Sequence, residues 1–252
     1  MSKERSLLIK IIYCAIFIAL CFGGTFISIP LGTSKIHLGN LFCVLAGLLC
    51  GPLIGGLAGS LGMGFCDIAL GYGWNTYLRS FIVKFLFGFV VGLLFRICLK
   101  KKINGTLMLG IATGVGLIVF GWLLYGYLTN GSGYSLTAVI ASSIFAGILL
   151  IALIVSFWMP VSTKCLLFAL VCGLLVNVAG EFILRALFSM ALGTSFDAAL
   201  ITSISKLPAA LFTSIVTVIF ALVFFYPVYF ATRNLNQAND LNEYILPTKK
   251  TE

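Results

Sequence analysis

Residues 38–70 read LGNLFCVLAGLLCGPLIGGLAGSLGMGFCDIAL, with Asp67 as the one charged side chain in the stretch. Two apolar runs, 38–50 and 52–70, meet at Gly51-Pro52. The ring of a proline and its missing N–H end a helix at that point, and glycine supplies the turn. Gly47, Gly51, Gly55 and Gly59 recur every four residues, the small-residue spacing that lets membrane helices approach closely. That spacing describes packing and says nothing of function. The rest of the chain has the same character: 61% of its 252 residues are hydrophobic and 9% charged, with a mean hydropathy of +1.15. Soluble domains average roughly 25% charged and 45–50% apolar residues. So few charges cannot cover a core of this size in water, and the chain is read as a resident of a lipid bilayer.

Outward from this stretch, further apolar runs occupy 7–29, 77–99, 106–128, 136–159, 166–192 and 200–231. With 38–50 and 52–70 they make eight segments. Crossing ~30 Å of hydrocarbon takes roughly 20 apolar residues, so 38–50 is short. The expected fold is an all-α, polytopic helical bundle forming a single membrane domain over 1–233, with a polar tail at 234–252. Lys3, Arg5 and Lys10 look like the basic start of a signal peptide. The apolar run after them is too long for one and lacks a small-x-small cleavage site, so it is read as an uncleaved first span.

Basic residues orient spans by collecting on the cytoplasmic side. With Lys3, Arg5 and Lys10 inside, four passes bring Arg96, Lys100, Lys101 and Lys102 inside. Two more bring Lys164, and a further two bring Arg233, Lys249 and Lys250. Eleven of the sixteen Lys and Arg residues then share one side. Both termini are expected in the cytoplasm. The formal charge of +9 is thus spent on topology; no basic domain exists for nucleic acid to bind.

The same topology gathers seven charges in the outer leaflet: Asp67, Arg79, Lys84, Glu181, Arg185, Asp197 and Lys206. Ionisable groups at membrane depth are costly and pair, face water or bind something, so a polar cavity opening outward is expected. Structural alternatives stand beside each. Glu181 and Arg185, four residues apart, can neutralise each other on one helix face, and Arg79 can reach the interface by its long stem. Asp67 can cap a helix or pair with Lys84 across a hairpin. Lys206 lies just before Pro208, whose missing N–H frees a nearby carbonyl. Tyr72, Trp74 and Tyr77 form either an interfacial belt or a stacking wall for a flat ligand. Lys84 with Arg79 would suit an anionic group.

Several chemistries have no motif here. No G-x-x-x-x-G-K-[ST], H-E-x-x-H or G-x-S-x-G occurs, and the lone histidine, His37, falls in a loop. The eight cysteines form no C-x-x-C pair, which leaves neither a metal site nor a disulfide framework to read; buried cysteine is a small, soft core residue. No enzyme activity, metal or cofactor is expected.

The ordered set Ile29-Pro30-Leu31-Gly32, Ile36-His37-Leu38-Gly39-Asn40, Leu45-Ala46-Gly47-Leu48-Leu49, Gly51-Pro52, Gly55-Gly56, Gly59, Asp67, Gly71-Tyr72 and Phe81-Ile82-Val83-Lys84 resembles the S components of energy-coupling factor (ECF) transporters, the substrate-binding membrane subunits of vitamin importers. The resemblance covers about residues 1–100. Ala15-Ile16-Phe17-Ile18-Ala19 adds the AxxxA that in the family docks on the transmembrane coupling subunit. It implies a multi-pass protein of a bacterial cell membrane that captures a vitamin or precursor at its outer face, closes the first outer loop over it, and topples after docking. Two partner ATPases would supply the energy. By position, 32–38 with His37 would be the lid, and Asn40, Asp67 and Lys84 match the family's motifs. Glu181 and Lys206 are carried over from the less clearly matched second half. Where many relatives show Ala-Pro after Gly-Tyr, this chain has Gly73-Trp74-Asn75-Thr76-Tyr77, which puts Trp74 and Asn75 at the substrate and leaves ligand identity open. The family core has six spans, so either 106–159 is an inserted hairpin, or some segments are re-entrant or form one long bent helix.

Two other function classes compete. A self-contained secondary transporter or channel would show an inverted repeat with matching broken helices, and none is visible beyond small-residue spacing. A membrane scaffold would leave the buried charges without a purpose.

Overall fold

The computed structural model describes residues 3–31, 34–130 and 136–232. The expected tail at 234–252, Arg233, and Gly32 and Thr33 of the expected lid lie outside them. Eight helices follow the eight apolar runs: α1 (Lys3–Phe26), α2 (Gly39–Cys50), α3 (Pro52–Ala69), α4 (Trp74–Lys100), α5 (Gly105–Asn130), α6 (Leu136–Ser156), α7 (Val161–Ala191) and α8 (Phe196–Thr232). Six are long and apolar enough over the described residues to cross a membrane. At 12 residues, α2 reaches only about 18 Å. The chain is an all-α polytopic membrane protein.

One element was not expected. Between α1 and α2 the chain forms an antiparallel hairpin, β1 (Ser28–Leu31) with β2 (Ser34–His37), pairing Ser28 with His37 and Ile29 with Ile36. Pro30 is tolerated because each strand of a two-stranded hairpin is an edge. The hairpin is fastened to α1 where the Leu38 N–H donates to the Gly24 carbonyl at 2.9 Å. At Gly39 a Cβ would run into the Thr25 hydroxyl. Only glycine lets α2 start so close to α1, and this places Asn40 against the bundle.

Around α4 the bundle is tightest. α4 packs on α3, α7 and α2, while α1 lies on α3 and α8 on α7. A Cβ on Gly47 would fall 2.5 Å from the Gly88 carbonyl, and one on Gly92 would fall 2.5 Å from the Gly47 carbonyl. Gly55 and Gly88 close the same contact. Three members of the glycine series therefore bring α2, α3 and α4 into backbone contact: Gly47, Gly55 and Gly59. The fourth, Gly51, serves as the break. Its φ of +112° is open to glycine and strained for other residues, and Pro52 starts α3 after it. The Arg96 guanidinium donates to the carbonyls of Gly47 at 3.2 Å, which also accepts the Gly51 N–H, and of Leu49 at 3.5 Å, and so helps to satisfy the carbonyl end of α2.

Below this seam lies a dry core of Val44, Leu48, Phe87, Val91, Phe95, Leu166, Leu170, Phe225 and Tyr229. α5 and α6 pack on each other, and Leu109 and Leu149 bury against Leu167 and Val171 of α7. All eight cysteines are free and five are buried. The apolar residues left exposed, such as Leu7, Leu8, Ile11 and Ile12 of α1, are what a lipid-facing surface requires.

Gly47→Ala should therefore lower the stability of the purified protein by roughly 1–3 kcal/mol through overpacking, despite the better helix propensity of alanine. Gly121 has open space around it, so Gly121→Ala should be neutral or stabilising by up to about 1 kcal/mol. Thermal unfolding in detergent checks the contrast; equal effects would contradict the packing.

Candidate functional site

Helix periodicity builds the site. On α4, Thr76, Ser80 and Lys84 recur every four residues, and on α7 so do Asn177, Glu181 and Arg185. Residues four apart share one helix face, so each helix turns a polar stripe toward the other. α3 adds Asp67, α8 adds Lys206 and Thr213, and Asn40, Thr25 and His37 come from the α1–hairpin–α2 corner. Together they line a cavity of about 570 Å³, within the ~300–1,000 Å³ typical of small-ligand sites. It sits at the end of the bundle that carries the hairpin, the α3–α4 turn and the α7–α8 turn. Among the described residues, none of its lining comes from α5 or α6.

At its centre Glu181 meets three cations. Arg79 Nε lies 3.0 Å from Oε2, Arg185 Nη2 3.3 Å from Oε2, and Lys84 Nζ 3.4 Å from Oε1. The Arg79 contact is an ion pair whose angle makes no hydrogen bond at Nε. Lys84 also donates to Asn177 Oδ1 at 2.6 Å, and Asn177 Nδ2 donates to Ser214 Oγ at 2.9 Å. This chain of contacts ties α4 to α7 and α7 to α8. Asp67 accepts the Ser80 hydroxyl, while Lys84 meets Glu181. Arg79, Lys84 and Asp67 are all at most 7% exposed, deep enough for desolvation to matter.

Six of the eight expected binding residues line the cavity: His37, Asn40, Asp67, Lys84, Glu181 and Lys206. Trp74 and Asn75 do not. Trp74 turns its ring edge-on to Phe188 at 5.9 Å and packs the α4–α7 end, as a belt residue would. Of the seven charges expected to converge, Asp197 stays exposed in the first turn of α8, while the other six meet in the cavity. Arg79 and Arg185 turn inward to the same carboxylate, so neither the interfacial reading of Arg79 nor a closed Glu181–Arg185 pair describes them fully. Asn177, Ser80, Thr25 and Thr76 were not singled out in the sequence; the four-residue spacing around Glu181 and Lys84 was the signal for Asn177, Ser80 and Thr76, and Thr25 carried none. Ala15 and Ala19 lie exposed on one face of α1.

Comparison with known proteins fits this geometry. The family described as "ECF-type riboflavin transporter, S component" matches residues 7–159, more than half of the chain. One relative, an uncharacterized protein in a gap 3′ region of Pyrococcus woesei, is 30% identical over 109 residues, which is 42% of this chain and 69% of that protein. No solved structure matches.

Removing Glu181 strands three cations. Glu181→Ala should destabilise the protein by about 3–5 kcal/mol, the cost of breaking a buried ion pair from one side, whereas Asp197→Asn should stay within ~0.5 kcal/mol of wild type. Thermal unfolding in detergent reads both; a silent Glu181→Ala would mean that the charge cluster is not what holds α4 against α7.

Proposed function

Because the chain belongs to the S-component family of ECF-type riboflavin transporters, a transporter family and not an enzyme family, we propose that it is the substrate-capture subunit of an ECF-type importer. It binds a water-soluble vitamin or vitamin precursor in the cavity between α3, α4, α7 and α8, and it performs no chemistry of its own. The observation that carries this reading is the convergence of buried and half-buried charged side chains from four helices on one open cavity, at the end of the bundle covered by the hairpin. Buried charges are expensive in a bilayer, and a bound polar solute gives them a use.

In the proposed orientation both termini are cytoplasmic. The cavity then faces outward, and Lys100, Lys101, Lys102 and Lys164 lie at the opposite, inner end, as the positive-inside rule requires. Membrane domain 1–233 is read as one unit, with α5–α6 as an added pair outside the binding core, since it lends no residue to the cavity. The described strand β2, with His37 at the cavity wall, would be the moving part of the lid. The exposed small-residue face at Ala15 and Ala19 would meet the transmembrane coupling subunit, where a close helix approach favours small side chains. Two ATPase subunits would drive release, and the host membrane would be the cell membrane.

Protein purified from cells grown in rich medium should carry a small water-soluble molecule, detectable by mass spectrometry after denaturation. Lys84→Ala and Asp67→Ala should remain folded and lose it. Ligand retained at the wild-type level in both variants would remove those residues from the site.

A further inference from the structure

The charges that line the cavity do not balance. Arg79, Lys84, Arg185 and Lys206 face Asp67 and Glu181, two cations in excess among the described residues. Three of the four cations crowd one carboxylate at 3.0–3.4 Å, and one negative charge cannot neutralise three. Asp67 also holds the Ser80 hydroxyl. Low-dielectric surroundings make unbalanced charge costly, and anions that enter such a place are held strongly. A second observation comes from the corner near the hairpin. Asn40 lines the cavity and is 1% exposed, and its buried Oδ1 has no hydrogen-bond partner. A buried acceptor left open is paired in most proteins, and here a donor on the ligand can meet it.

Building on the capture reading above, we infer that the ligand is an anion: it carries a carboxylate or phosphate that shares Arg79, Lys84 and Arg185 with Glu181, and an N–H or O–H donor that reaches Asn40. Arginine suits either group, because its planar fork matches the oxygens of both. Glu181 holds the three cations in place while the site is empty, so the anion enters a cluster already assembled and little side-chain ordering remains for binding to supply.

Matched pairs of probes test this. Purified protein in a non-ionic detergent, stripped of ligand and of anionic lipid, is titrated by calorimetry with nicotinate against nicotinamide, pantothenate against panthenol, and riboflavin 5′-phosphate against riboflavin. The charged member of at least one pair should bind tenfold or more tightly than its neutral partner. Which pair responds separates carboxylate from phosphate. Arg185→Gln removes the most exposed of the three cations, at 24% side-chain exposure, and should weaken the charged member at least tenfold. A neutral member that binds as tightly as its charged partner, or an unchanged affinity in Arg185→Gln, overturns the inference and leaves capture standing. No binding by any of the six overturns both.

Discussion

One carboxylate organises the polar half of this molecule. Glu181 takes Arg79 and Lys84 from α4 and Arg185 from its own helix, and so fixes how α4 and α7 are rotated against each other. In water such contacts are worth little. Arg79 and Lys84 are at most 7% exposed, so little solvent reaches them to replace a lost partner, and they depend on the carboxylate as it depends on them. Lys84 extends the arrangement to Asn177, and Asn177 to Ser214. One side of the cavity is therefore backed by a connected set of side chains from three helices.

The same helix faces change character halfway along. On α4, Thr76, Ser80 and Lys84 line the cavity, while Phe87, Val91 and Phe95 continue the stripe into the dry core. On α7, Asn177, Glu181 and Arg185 lie above Leu166 and Leu170. Close glycine contacts between α2, α3 and α4 hold the lower half together at backbone distance, where dispersion and packing do the holding because lipid offers no hydrophobic drive. The upper half, spread by long polar side chains, stays open. A closely packed base with an open polar mouth suits the proposed capture role, in which the hairpin beside the mouth would serve as the lid.

Much of this was legible from the residues. The eight apolar runs became eight helices because a ~20-residue apolar stretch in a bilayer has few other ways to satisfy its backbone. Asp67, Lys84, Glu181 and Lys206 of the cavity lining were legible because charges at membrane depth stand out against a sequence that is 9% charged, whereas His37 and Asn40 were legible only through the family resemblance. The failures have physical causes as well. The β1–β2 hairpin escaped notice because four-residue strands leave little pattern to read. Trp74 sits beside the cavity in sequence and turns away from it, and an aromatic near the interface serves a belt and a binding wall equally well. Asp197 looked like its fellows until its place in the first turn of α8 set it at the surface. Asn177 and Ser80, being neutral, carried no signal of their own, only their four-residue spacing from Glu181 and Lys84.

The central claim is that this chain captures a solute and relies on partners to move it. Proteoliposomes containing the chain alone, and others containing it with a coupling subunit and two ATPases, should be offered a mixture of water-soluble vitamins and their lumen contents measured by mass spectrometry. One vitamin should accumulate in the complete vesicles when ATP is present, and none should enter vesicles that hold the chain alone. Entry of solute through the chain alone would contradict the capture role and identify a self-contained transporter or channel.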